Sequence, residues 1–276
     1  MKFKVKVRRT GAAVGWQATV PGVAADIHVL ESTIVIDQTV HWFAEIGKTL
    51  KIFDQDRVEH AVRTWEHVIF EGAQGVLLDE WHGFHPHTTW STTTTKNAND
   101  MIAVAGREGP VRSIGVVRAY ATRHGQGPFP TEDAALGERL RDSHNADTGW
   151  QGRFRVGWFD VPLTSYALDV CPDIKEIAVT CLDRVAELPQ WTVCQTYDVP
   201  KDAEERFVMC PDGGMPRVAP PGDLAYQEQL GRDLLRCKPI LHHVASSRRL
   251  LAIEQSLGLP VTITSHGPTA ADKRFV

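Results

Sequence analysis

"SIGVVRAYAT", residues 113–122, is mainly apolar, with one glycine between Ile114 and Val117 and a single charge at Arg118, then gives way to Arg123 and a glycine-rich turn. A strand buried on both faces reads this way, which is the pattern of parallel sheets. Two further runs repeat it: "HVIF" (67–70) leads into Glu71, and "EIAVTC" (176–181) leads into Leu182 and Asp183. Strands this far apart, with helical or irregular stretches between them, favour an α/β fold with a mainly parallel central sheet and crossover helices over a β-sandwich. Ligands in such sheets sit beyond the carboxyl ends of the strands, so the three ends are expected to converge on one crevice.

Outward from this centre the pattern changes. At the start Phe3, Val5 and Val7 alternate with lysine and arginine, and "GWQATV" (15–20) follows a turn near Gly11, which predicts an N-terminal β-hairpin. "STIVIDQ" (32–38) reads as a strand, and behind it Val58, Ala61, Val62 and Trp65 fall on one helical face with Asp56 as the N-cap. The spacing beyond Leu224 predicts helix as far as Leu257, broken near Pro239, before "PVTITSHGP" closes the motif-bearing part. The expected division is a divergent segment, 1–66, and a region carrying the motifs, 67–276, within one compact domain.

Composition narrows the class. A chain of 276 residues that is 42% hydrophobic can bury a real core. Its formal net charge of -4 with mixed signs argues against nucleic acid or an anionic membrane as partner. No apolar run approaches the roughly 18 residues of a membrane span, and the lysine-rich start lacks an apolar signal core, so a cytoplasmic location is expected. The five cysteines include no C-x-x-C pair and read as reduced thiols.

Two stretches are not what a core wants. In "FEGAQGVLLD" (70–79), Gly72 and Gly75 allow a ligand close to the backbone, and Gln74 offers both a donor and an acceptor for a purine edge. In "GFHPHTTWSTTTT" (83–95), the hydroxyls of Thr88, Thr89, Ser91, Thr92 and Thr93 can donate to phosphate oxygens, although threonine runs are also ordinary β sequence. "GRFRVGWFD" (152–160) puts Arg153 and Arg155 on one face of an extended segment, where a pair of guanidinium groups clamps a carboxylate or phosphate; a solvated edge strand is the plain alternative. "YATRHGQGPFPTE" (120–132) is a stiff turn with two prolines. His82, His85 and His87 could present imidazoles to zinc, but no carboxylate or cysteine completes a recognised spacing.

Four stretches in order, "VIFEGAQGVLLDEWHGFHPHTTWSTTT" (68–94), "GVVRAYATRHGQGPFPTE" (115–132), "TGWQGRFRVGWFD" (148–160) and "GLPVTITSHGP" (258–268), together resemble the adenylosuccinate synthetase family. The resemblance covers roughly Val68 to Pro268. It implies a ligase that uses GTP and Mg2+ to phosphorylate the 6-oxygen of inosine monophosphate, then lets the amine of aspartate displace the phosphate. It also implies a homodimer.

Carried over by position, Gln74, beside Gly75, matches the glutamine that contacts the purine nucleotide, and Thr89 matches the threonine at its 5'-phosphate. Thr148, Gly149, Arg153 and Arg155 match the stretch that binds nucleotide and aspartate, here longer and poorer in arginine. Asp183 matches the acceptor for guanine N–H groups, with Cys181 in place of the family lysine, and Ser265 and Gly267 match the "STGP" loop against the guanine nucleotide. Trp90 stands where the family has a small residue.

The family's "GDEGKGK" phosphate loop and "GHNAGH" element have no counterpart in residues 1–66, where "RRTGAAVG" (8–15) is read as a hairpin turn. No catalytic acid or base and no metal ligand is therefore assigned. The expectation is a ligase component that joins aspartate to the 6-position of a purine nucleotide with GTP or ATP, a second polypeptide supplying the phosphate loop. The alternative is a catalytically silent purine-nucleotide-binding or regulatory protein.

Overall fold

The computed structural model describes residues 28–29, 31–51, 53–141, 145 and 152–276. The expected hairpin, the "RRTGAAVG" turn, Thr148 and Gly149 lie outside the described residues. The chain divides into two units, Met1–Ala61 and Val62–Val276.

The first unit holds α1 (Thr33–Thr49), and α2 (Gln55–Thr64) runs across the division. "STIVIDQ" is thus the first part of a helix, where its β-branched residues predict a strand. The Ser32 hydroxyl caps α1 by accepting from the Val35 amide at 3.4 Å, and Lys48 sits in the last turn, where it complements the helix dipole. A capped helix of 17 residues outweighs a local β preference, which is a weak prior. None of its described residues is buried. In α2, Asp54 rather than Asp56 accepts the capping bond, from the Arg57 amide at 3.0 Å.

The second unit continues with α3 (Lys96–Ala105), β1 (Ile114–Arg118), β2 (Ala121–His124), α4 (Ala134–Arg139), β3 (Phe154–Gly157), β4 (Phe159–Asp160) and α5 (Val161–Val170). Then come β5 (Glu176–Thr180), β6 (Trp191–Asp198), β7 (Phe207–Cys210), β8 (Gly213–Pro216) and α6 (Leu224–Leu234). The chain closes with β9 (Lys238–Val244), α7 (Arg249–Leu257), β10 (Val261–Ser265) and β11 (Lys273–Phe275).

Strands β1, β5 and β10 run parallel with β5 in the middle, and β11 pairs antiparallel outside β10. The expected parallel sheet of an α/β fold is therefore present. Ile177 and Val179 of β5 are fully buried, as its continuous apolar run requires. They join a core with Trp191 and Ile253 in which the Trp191 indole N–H donates to the Ala119 carbonyl at 2.7 Å. A second sheet is built on β6, which takes β4 in parallel and β8 and β9 antiparallel. Its core gathers Phe84, Tyr166, Tyr197, Leu230 and Leu234.

Two further expectations are corrected. "HVIF" has no ladder partner among the described residues, and Ile69 is exposed; a strand needs a neighbour to satisfy its backbone, and none is described here. The helix beyond Leu224 stops at Leu234, and Pro239 lies inside β9 opposite Tyr197. Proline is tolerated there because, among the described residues, β9 pairs only with β6 and so lies at the sheet edge. All five cysteines are free thiols. No helix among the described residues is long and apolar enough to cross a membrane.

Candidate functional site

The hydroxyl-rich loop closes around one acid. Asp79 is fully buried, and its carboxylate accepts from the backbone amides of Trp81 at 2.9 Å, His82 at 3.1 Å and Thr93 at 2.7 Å. This folds residues 88–93 back on 74–80, and two backbone bonds complete the closure: Thr89 N–H to Leu78 O at 2.8 Å and Glu80 N–H to Ser91 O at 3.3 Å. Gln74 and Thr89, fifteen residues apart, consequently meet. The Gln74 amide donates to the Thr89 hydroxyl at 3.3 Å, and the Ser91 hydroxyl donates to Gln74 Oε1 at 3.2 Å.

The Thr93 hydroxyl reaches Gly75 O at 3.0 Å, and a side chain placed on Gly75 would meet nothing of the described residues within 4 Å. Phe84 anchors the loop from below, fully buried with its ring 5.4 Å from that of Tyr166, whose hydroxyl donates to His82 O at 2.6 Å. Sequence reasoning passes over Asp79. Its only signal is that it is the first of two acids, Asp79 and Glu80, directly after the apolar "GVLL".

The expected single strand 113–122 is divided: β1 ends at Arg118, and after Ala119 and Tyr120 the chain turns into β2, which pairs antiparallel with β3 so that Arg123 lies within a strand opposite Arg155. Arg123 is buried; its Nε donates to Gln126 O at 2.9 Å and its Nη2 to His87 O at 3.1 Å, tying this hairpin to the hydroxyl loop. Burial, then the Arg155 charge, brings its pKa down to about 10. Burial also lowers the pKa of His87, followed by the charges of Arg123, His85 and Arg155.

Arg153 and Arg155 share a face, as expected, and they do clamp a carboxylate: that of Glu132. Arg153 Nη2 donates to Oε1 at 2.9 Å, and Arg155 Nε and Nη2 both donate to Oε2, at 2.9 and 2.6 Å. These bonds, those of Arg155 first, hold the Glu132 carboxyl below the usual range despite partial burial.

One residue earlier, the Thr131 hydroxyl donates to Asp160 Oδ2 at 3.1 Å. Asp160 is the N-cap of α5, accepting from the Leu163 amide at 2.9 Å, and the Tyr197 hydroxyl donates to its two oxygens at 2.6 and 2.7 Å. Burial pushes its pKa up to about 6 against these bonds.

A third cluster stands at the sheet ends. The Leu182 amide donates to Ser265 O at 3.1 Å, which places exposed Asp183 beside the end of β10. Cys181 turns the chain there with φ of 58°, a left-handed conformation that few residues other than glycine adopt. The Ser265 hydroxyl donates to Gly267 O at 3.2 Å, and a side chain on Gly267 would press on the Asp272 carboxylate at 2.7 Å. The structure thus brings together Gln74 with Thr89, Arg153 with Arg155, and Asp183 with Ser265 and Gly267. Among the described residues no group of three or more His, Cys, Asp or Glu side chains is placed to hold a metal ion, so His82, His85 and His87 form no zinc site.

A parallel sheet whose strand ends carry polar loops defines an α/β protein of the class in which ligands bind beyond the strand ends. The family model of adenylosuccinate synthetase matches residues 16–273, and the chain belongs to that family. It is 35% identical over 215 residues to the adenylosuccinate synthetase of Sorangium cellulosum, covering 76% of this chain and 48% of that protein. It is 32% identical over 230 residues to the one of Francisella philomiragia, covering 81% and 52%. The fully ligated adenylosuccinate synthetase from Plasmodium falciparum shares the fold, with a TM-score of 0.56, 24% identity and coverage of 75% of this chain and 49% of that one. The chain spans about half the length of the curated relatives it matches.

Proposed function

We propose that this chain is the nucleotide- and aspartate-binding component of an adenylosuccinate synthetase-type ligase, joining aspartate to the 6-position of inosine monophosphate or a related purine nucleotide. The observation that carries the reading is the meeting of Gln74 and Thr89 beside the open face of Gly75. The Gln74–Thr89 bond and the Ser91–Gln74 bond are at the long end for hydrogen bonds and lie at the surface, so a purine edge and a phosphate oxygen can replace them at little cost. No contact among the described residues requires Gly75 to lack a side chain, which fits a close-lying ligand.

In this reading Gln74 reads the purine and the Thr89 hydroxyl donates to the 5'-phosphate. Arg153 and Arg155 serve the aspartate carboxylates, with Thr148 and Gly149 in the same stretch. Asp183 accepts from the N–H groups of a guanine, with Ser265 and Gly267 against that nucleotide, so GTP or ATP is the energy donor to be distinguished. Among the described residues no three His, Cys, Asp or Glu side chains gather around one point, so the magnesium that the family implies is expected to be held chiefly through the triphosphate. The cradle for the transferred phosphoryl group, which supplies most of the charge stabilisation in such chemistry, is assigned to a second polypeptide. The assembly expected is a homodimer in the cytoplasm, read by light scattering at tens of micromolar.

The test combines binding and turnover. Purine monophosphates, both ribo and deoxy, are titrated calorimetrically, and succinyl-nucleotide and phosphate are followed with GTP or ATP, magnesium and aspartate, with and without a protein carrying the phosphate loop. Product under either condition supports the ligase. Nucleotide binding without product leaves a silent binding protein in its place, and no binding of any purine monophosphate overturns both.

A further inference from the structure

The two arginines of the clamp are not equivalent. Arg155 is 16% exposed, and besides its two bonds to Glu132 Oε2 its Nη1 donates to Gly125 O at 3.2 Å and Gly127 O at 2.9 Å, while its guanidinium lies 5.3 Å from the Phe129 ring centroid. Each of these contacts closes the 125–132 turn on itself. A guanidinium has five N–H donors in a fixed fork, so this one is almost wholly committed to the chain.

Arg153 is 65% exposed and makes one hydrogen bond among the described residues, to Glu132 Oε1. Two cations share one carboxylate, which leaves a net positive charge at the mouth of the turn. The backbone of Glu132 is pinned as well, by a bridge to Gly157 and by the bond of its amide to Phe129 O at 3.1 Å.

We propose that Glu132 is a resident competitor in the clamp: Arg155 holds it permanently as the staple of the turn, and Arg153 is the one cation that an incoming carboxylate takes from it. This rests on the aspartate-binding reading above and divides the roles within it. Arg153 becomes the residue that contacts the amino acid, Arg155 a positioning residue, and Glu132 a group that sets the affinity by occupying Arg153 when no ligand is bound. The ion pair at Arg153 is largely in water, where such pairs are weak and exchange readily. That property makes the exchange feasible, and the pair with half-buried Arg155 lacks it.

The experiment titrates L-aspartate and succinate calorimetrically into the full chain, with a bound purine monophosphate held saturating, for the wild type, Glu132→Gln, Arg153→Ala and Arg155→Lys. Glu132→Gln is expected to tighten carboxylate binding by about 2- to 5-fold, the worth of one exposed ion pair, while lowering the melting temperature. Arg153→Ala is expected to weaken binding by about 10-fold at an unchanged melting temperature. Arg155→Lys is expected to lower the melting temperature and to speed hydrogen exchange of amides in the 125–132 turn.

On the wild type itself, adding aspartate should move the Arg153 Nε–Hε resonance and leave that of Arg155 in place, a readout that survives any variant that fails to fold. Weaker binding in Glu132→Gln with an unchanged melting temperature, or movement of the Arg155 resonance alone, overturns the competitor. If the wild type and Glu132→Gln both bind the nucleotide and neither binds a dicarboxylate, the aspartate half of the proposed function falls, and the competitor with it.

Discussion

The loops of the candidate site and its strand ends are held by different means. The 74–93 loop depends on Asp79 and the 125–132 turn on Asp160 as well as Arg155, each acid buried and each collecting several donors: three backbone amides in one case, and two hydroxyls with one amide in the other. Asp183 and Ser265 depend instead on the parallel ladder, where β5 meets β10 and the Leu182 amide reaches Ser265 O. An irregular loop has no ladder, so a single side chain must satisfy backbone groups that would otherwise be buried unpaired. A sheet distributes the same task over many bonds, and no one side chain carries it.

Substitutions test this contrast, and the largest effect is expected at Asp79. Asp79→Ala leaves three backbone amides without their acceptor and should lower stability by about 3 kcal/mol. It should also abolish nucleotide binding, because Thr89 no longer packs back on Gln74. Chemical denaturation gives the first figure and calorimetry the second; a loss below about 1 kcal/mol would mean that the loop has other supports.

Asp160 gives a pH signature. Its folded pKa of about 6 lies above the ordinary 3.8. The stabilisation linked to its proton is complete below pH 3.8, is lost as pH rises toward 6, and changes no further above that. The stability difference between the wild type and Asp160→Asn should therefore shift across this window by on the order of 3 kcal/mol, in the direction of a less stable wild type at the higher pH. A difference that is flat with pH would show that the acid titrates normally.

A smaller effect is expected at Gln74, which lies at the surface of the loop and supports little of it. Gln74→Ala should weaken purine monophosphate binding by about 1–3 kcal/mol and change stability by less than about 0.5 kcal/mol. The smallest effect on folding is expected at Asp183. Asp183→Asn should leave the melting curve in place, since the ladder holds the strand end, yet erase any preference for GTP over ATP in competition binding. A marked loss of stability there would blur the contrast from the other side.

Sequence patterning located β1 and β5, the parallel α/β class, and the common face of Arg153 and Arg155. It went astray where an element's neighbours decide. "STIVIDQ" carries a β-like composition yet sits in α1, because a capped long helix satisfies its backbone internally. "HVIF" reads like β5 yet forms no strand among the described residues, because a strand exists only through a partner. Pro239 reads as a helix break yet lies in edge strand β9.

By itself the sequence determined which chemical groups this protein carries and in what local setting: a glutamine after a glycine turn, a run of hydroxyls, two arginines two residues apart, an acid after a buried strand. These follow from residue type and short-range periodicity, which are local properties of the chain. Only the tertiary structure decided what each group faces. That Glu132 occupies the arginines, that Asp79 closes the hydroxyl loop, and that Asp183 stands beside Ser265 depend on contacts between residues 14 to 83 positions apart. Such contacts form only when the packed cores bring distant segments together and buried polar groups must find partners, and no local pattern encodes them.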